Sequence, residues 1–195
     1  MSNPFAVHHA LLIMDMASAP AAALEQAADL LWRAFQATSP AWPDLDSARQ
    51  EVAENLAADR IGRIALDNQG QALGWIAGQS QYDGNVWELH PLVVHPDHQA
   101  RGIGRALVTD FETQVRARGG LTIYLGTDDE AGRTSLGGVD LYPDVLARVG
   151  RIRNLERHPY EFYLKMGYAL VGVVPDANGF GKPDIMLAKR VGRPE

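Results

Sequence analysis

The order of segments predicts a mixed α/β fold, a sheet with helices on its faces. Short apolar runs that read as strands alternate with stretches of helical periodicity. Strand, helix and strand follow one another between residues 86 and 126, which implies a parallel crossover. No internal repeat or low-complexity tract breaks the order.

The elements follow in sequence. Val7 to Met14 is a short apolar run read as a first strand, although periodicity alone does not separate it from a buried helical piece. From Pro20 the pattern changes: Leu24, Ala27, Ala28, Leu31 and Phe35 recur at helical spacing behind a proline suited to a first turn, predicting a helix from Ala21 to Gln36. The run Ser39-Pro40-Ala41-Trp42-Pro43 breaks it. A second helix begins near Asp46 or Ser47, either of which accepts free backbone N–H groups, and ends before Arg60. Ile61 to Asp67 and Ala72 to Gln79 form a hairpin around Asn68-Gln69-Gly70. Val86 to Val94 is a strand, Gly102 to Arg118 a helix carrying Ile103, Leu107, Phe111 and Val115 on one face, and Leu121 to Gly126 a strand again. His158 to Met166 reads as a short helix ended by Gly167, and Tyr168 to Val174 and Ile185 to Lys189 are the last strands.

Length and composition narrow the function. A chain of 195 residues favours one domain over its whole length, residues 1–195. Hydrophobic residues make up 46% and charged residues 22%, and no stretch approaches the roughly twenty apolar residues that cross a bilayer. The absence of cysteine removes disulfides, thiolate nucleophiles and cysteine-ligated metals. Ala17-Ser18-Ala19 has the look of a cleavage site, but the first cationic side chain is Arg33 and His8, His9 and Asp15 interrupt the apolar run, so a cytoplasmic location is expected. A net charge of -6 disfavours nucleic acid and anionic membranes as partners and favours a cationic one. The spacing of His90, His95 and His98 fits no common ligand pattern, so no metal is expected.

The sharpest local feature is Gln99-Ala100-Arg101-Gly102-Ile103-Gly104, between a strand and an amphipathic helix. Glycine lets the backbone approach a ligand, and helix N-terminal N–H groups suit a pyrophosphate; a plain strand-to-helix turn is the alternative. The fragment is neither Gly-x-Gly-x-x-Gly nor a Walker loop. Pro91, inside the preceding strand, has no N–H for a ladder. It marks either an edge strand or a bulge that would part this strand from the one at Leu121 and leave the Leu92 N–H free to bind a carbonyl oxygen.

The loop, following Leu92-Val93-Val94-His95-Pro96, resembles the acetyl-coenzyme A loop of the GCN5-related N-acetyltransferases (GNAT). Trp87-Glu88-Leu89-His90-Pro91-Leu92-Val93-Val94, Leu125-Gly126-Thr127-Asp128-Asp129 and His158-Pro159-Tyr160-Glu161-Phe162-Tyr163 resemble its aminoglycoside 6'-N-acetyltransferase branch, as do residues 171–179 and 182–185. The resemblance covers about Val86 to Lys189; before Val86 only the order of elements agrees. It implies the GNAT fold, an α/β (α+β) architecture with a mixed, mostly antiparallel sheet, its fourth and fifth strands forming a central parallel pair that splays, and helices on both faces. It further implies acetyl-CoA as donor, an aminoglycoside 6'-amine as acceptor, direct attack in a ternary complex, and a homodimer. Another polyamine or a protein amine is the alternative acceptor, and a non-catalytic acyl-coenzyme A sensor the alternative role.

The resemblance assigns coenzyme binding to Val93, Val94, Gln99, Ala100, Arg101, Gly102, Ile103, Gly104 and Arg105. Glu88 is read as a proton acceptor or a ligand of the cationic amine, against a structural ion pair. His90, two residues on, faces the same side of an unbulged strand and either serves the substrate or packs. Tyr163 matches the family's tyrosine near the coenzyme sulfur, where a phenol can protonate a thiolate, although composition alone allows a core role. Asp128 and Asp129, with Glu130, would meet a polycationic sugar or form a solvated loop, and Trp87 and Trp42 would stack on sugar rings or pack. Arg148, Arg151, Arg153 and Arg157 read as a solvated face, with a contact from one of them to a coenzyme phosphate as the alternative.

Overall fold

The computed structural model describes residues 11–36 and 41–193. Its strands are β1 (Leu12–Asp15), β2 (Arg60–Leu66), β3 (Ala72–Gln81), β4 (Val86–Val94), β5 (Thr122–Asp128), β6 (Ala169–Val174) and β7 (Asp184–Arg190). The helices are α1 (Ala21–Phe35), α2 (Leu45–Glu54), α3 (Ile103–Ala117), α4 (Val145–Val149) and α5 (Tyr160–Lys165). The sheet order is β1-β2-β3-β4-β5-β7-β6. The pairs β1–β2, β2–β3, β5–β7 and β6–β7 are antiparallel, and β4–β5 is the parallel pair that the crossover through α3 requires. The expected first strand is found over its second half, and its beginning, residues 7–10, lies outside the described residues.

The chain forms two compact units, Met1–Gln79 with His90–Gln114, and Ser80–Leu89 with Val115–Glu195. The division passes through β4 and α3 rather than through a linker.

In the first unit the apolar stripe of α1 is buried at Ala23, Ala27, Ala28, Leu30 and Leu31 and packs with Ile64, Leu66, Trp75 and Ala77 of β2 and β3. Trp75 is fully buried, and its indole N–H donates to the Ala27 carbonyl at 3.0 Å. The cap of α2 is Asp44, two or three residues earlier than expected: its carboxylate accepts from the Ser47 N–H at 2.8 Å, while Ser47 Oγ accepts from the Asp44 N–H at 3.3 Å. Ser47 is therefore the far side of a capping box, not its start. On the opposite face of β2, Arg63 pairs with Asp110 of α3 at 2.6 Å, so helices cover both faces. Gly74 is required by packing, since a Cβ there would stand 2.6 Å from the Val93 carbonyl oxygen.

The hairpin between β2 and β3 turns on Asp67, whose Oδ1 accepts from the N–H groups of Gln69 and Gln71 at 2.8 and 2.9 Å, with Gly70 at φ 79. In the second unit β5 and β7 bury Ile123, Leu125, Ile185 and Leu187 and turn the alternate residues outward. The sequence reading leaves α4 out, because a five-residue helix without a side-chain cap carries no periodic signal. Helix α5 starts later than predicted; the Nδ1 atom of His158 accepts from the Tyr160 N–H at 3.3 Å and so lies before the first turn. Among the described residues no helix is long and apolar enough to cross a membrane.

Candidate active site

The loop singled out by sequence lies where β4 hands over to α3. Gln99, Ala100, Arg101 and Gly102 are exposed. Ala100 and Gly102 both take positive φ, 58 and 87, and nothing lies within 4 Å of the point where a Gly102 Cβ would stand. The first helical bond of α3 runs from the Ala106 N–H to the Gly102 carbonyl at 2.9 Å, so the N–H groups of Ile103, Gly104 and Arg105 precede it and have no partner within the helix. Gln99 Nε2 donates to the Val94 carbonyl at 3.3 Å and ties the loop to the end of β4. Open space, unspent amides and the positive end of a 15-residue helix are what a diphosphate needs, and these residues fit it.

Burial along β4 alternates without interruption: Trp87, Leu89, Pro91 and Val93 point inward and Glu88, His90, Leu92 and Val94 do not. Glu88 and His90 therefore share a face, as their spacing predicts. β4 is an interior strand in the sheet order, yet its ladder to β5 ends before Pro91, so the two strands part ahead of this proline as expected. The parallel ladder is simply short. It joins Val86, Glu88 and the Trp87 between them to Thr122, Tyr124 and Ile123, and ends at Glu88. On its other side β5 stays paired with β7 as far as Asp128.

The outward face of the second unit gathers Glu88, Tyr124, Gly126, Asp128 and Asp184. The Tyr124 phenol hydrogen-bonds the Glu88 carboxylate; burial, the Glu88 charge and that bond together push its pKa up to about 12, so the phenol stays protonated as the donor. Asp128 is exposed, accepts from Asn178 Nδ2 at 2.5 Å, and stands directly across from Asp184 in the ladder. Burial, then the Asp128 charge, with a smaller push from Glu88, raises the Asp184 pKa to about 6 against the opposing pull of the Thr127 N–H.

Other expected site residues are placed differently. Asp129 is 1% exposed, and its oxygens accept from the Arg133 N–H at 2.6 Å, the Thr134 N–H at 2.8 Å and the Thr134 hydroxyl at 2.7 Å. It braces the loop after β5 and has no face to offer a substrate. Trp87 is 3% exposed against Val115 and Gly120, with the Arg118 guanidinium 5.5 Å over its ring, so it packs rather than stacks on a sugar. His90 is exposed and lies stacked on Trp42 at 5.6 Å, whereas His95 and His98 meet edge to face at 5.2 Å. Tyr163 is 7% exposed between Phe162 and Tyr168, and burial holds its pKa well above the ordinary phenol value.

Sequence reasoning missed Asp184, Tyr124, Gly126 and His158 as site residues. The His158 ring is buried and meets the Asp128 carbonyl through Nε2 at 3.0 Å, and burial lowers its pKa, so it pins the end of β5 as a neutral imidazole. Only the β5–β7 register sets Asp184 beside Asp128; the sole earlier signal was its place in residues 182–185, a segment resembling the same family.

Comparison with known proteins agrees with this geometry. The model of the acetyltransferase (GNAT) family matches residues 24–137. A crystal structure of an aminoglycoside 6'-N-acetyltransferase complexed with coenzyme A is 41% identical, covers 94% of this chain and 99% of that one, and superposes with a TM-score of 0.86. The aminoglycoside 6'-N-acetyltransferase of Enterococcus faecium is 42% identical over 94% of this chain and 99% of its own, with a TM-score of 0.84. Acetyltransferases of Pectobacterium atrosepticum and Sodalis glossinidius are 30% and 32% identical over stretches that span 47% and 46% of this chain, and 67% and 58% of those proteins. The amide-lined loop ahead of α3, the short parallel ladder and these matches together make the chain a member of the GNAT family of acetyltransferases.

Proposed function

We propose that the protein transfers an acetyl group from acetyl-CoA to the 6'-amine of aminoglycoside antibiotics. The observation that carries the acceptor is the outward face where Glu88, Asp128 and Asp184 collect negative charge around Tyr124. Such a face suits a polycationic sugar, and the aminoglycoside 6'-N-acetyltransferases that are 41% and 42% identical span nearly the whole chain.

Bound acetyl-CoA supplies an acetyl group activated as a thioester. Val93, Val94 and the stretch Gln99–Arg105 would hold the coenzyme, the amides of Ile103 and Gly104 and the exposed Arg101 and Arg105 being the donors suited to its phosphates. Glu88 takes the proton from the ammonium, directly or through water, because only a neutral amine has the lone pair that attacks. Asp128 holds the substrate's charge, and His90 orients it from its stack on Trp42. The Leu92 N–H steadies negative charge on the carbonyl oxygen. Tyr163, kept protonated by burial, carries the proton for the departing sulfur.

Kanamycin incubated with the protein and acetyl-CoA is expected to gain one acetyl group, located on the 6' nitrogen by fragmentation mass spectrometry. A product acetylated elsewhere, or a higher kcat/KM with spermidine, would displace the antibiotic as the acceptor. For the acid, Tyr163→Phe is expected to lower kcat by roughly tenfold or more while acetyl-CoA affinity, measured by calorimetry, changes less than about twofold. An unaltered kcat would remove Tyr163 from the chemistry.

A further inference from the structure

Asp184 differs from the nearby carboxylate that serves the fold. Asp129, which serves the fold, has three hydrogen bonds. Among the described residues the buried Oδ1 of Asp184 has no hydrogen-bond partner, and the Thr127 N–H is the one donor to the group. A carboxylate kept for structure alone would not be left half-satisfied beside two like charges.

Gly126 explains how it lies there. A methyl group on Gly126 would overlap both Asp184 oxygens, so glycine leaves the notch that the carboxyl occupies. The groups facing it are Asp128 and the Thr127 N–H from β5, Glu88 from β4, and Val174 from β6. The nearest cation along the chain, Lys182, is turned to Glu130 at 4.0 Å. Nothing on these strands neutralises the pair Asp128 and Asp184, which stand directly opposite each other.

We propose that Asp184, seated in the Gly126 notch, is a specificity-determining residue of the acceptor subsite that selects molecules carrying a second ammonium group near the reacting amine. This rests on the acceptor face assigned above. A second cation relieves the repulsion between Asp184 and Asp128, whereas an acceptor with one amine, held at Glu88, leaves it in place.

The test compares kanamycin with 6-amino-6-deoxyglucose, which carries the reacting amine alone, in the wild type, Asp184→Asn and Gly126→Ala. Asp184→Asn is expected to raise the kanamycin KM about tenfold, with kcat within about threefold and the monoamine KM within about twofold. Gly126→Ala, which drives the carboxyl out of its notch, is expected to shift the kanamycin KM in the same direction. Because the Asp184 pKa is raised to about 6, the wild-type kanamycin KM is expected to climb as pH falls below that value, and the Asn variant to lose this dependence. Equal losses on both acceptors, or an unchanged kanamycin KM, would overturn the proposal. Should the wild type leave kanamycin untouched, the antibiotic assignment fails by itself. The same variants are then read on spermidine against butylamine, where preserved discrimination in Asp184→Asn overturns the inference and lost discrimination upholds it.

Discussion

Glu88→Gln is expected to lower kcat/KM for kanamycin by about a hundredfold, equivalent to about 2.7 kcal/mol of transition-state stabilisation. The substitution keeps the shape of the side chain and an oxygen that accepts from the Tyr124 phenol, so it removes charge and basicity alone. Without a carboxylate at this point the acceptor amine keeps its proton and has no lone pair for the thioester. Binding of acetyl-CoA is expected to stay within about twofold, since the amides of the loop before α3 are untouched. Steady-state kinetics with calorimetry of coenzyme binding make the check. A loss under about threefold would show that the proton leaves by another route and reduce Glu88 to a substrate ligand.

Trp75→Ala is expected to cost about 4 kcal/mol, the largest stability loss for a single change in the first unit. The side chain is fully buried among Ala27, Leu31, Ile64 and Ala77. Its removal leaves a void that alanine and leucine neighbours cannot fill, because they are tied into α1 and two strands. The Ala27 carbonyl also loses the 3.0 Å bond from the indole, although a carbonyl inside a helix keeps its backbone partner and that share is small. Thermal unfolding followed by circular dichroism should show a Tm lower by roughly 10 °C. A drop of less than about 2 °C would mean that α1 does not depend on this tryptophan.

Much of the fold was legible because periodicity is a one-dimensional property. The 3.6-residue stripe of α1 and the two-residue alternation of β4 identify buried faces without knowledge of any partner, and both were recovered. Capping is less legible: Asp44, Asp46 and Ser47 are all capable caps, and which of them serves depends on where the chain enters the helix. The short α4 was invisible for want of two full turns of pattern. At the site, Asp128 and Asp129 are indistinguishable in sequence, yet one is exposed at the end of β5 and the other is buried with three bonds. Trp87 and Trp42 likewise read as stacking surfaces until packing against Val115, Gly120, Phe35 and His90 is seen.

The sequence by itself determined the family-level outline: alternating strands and helices with a parallel crossover, an amide-rich turn at the head of α3, and a set of acidic candidates for a cationic partner. Those follow from local spacing and residue chemistry. Only the tertiary structure decided which candidates face outward and that Asp184 lies across from Asp128 over the glycine at 126. Register between distant strands sets these, and a strand does not record its partner in its own residues, because a slip along the ladder reassigns every neighbour while leaving the local pattern intact.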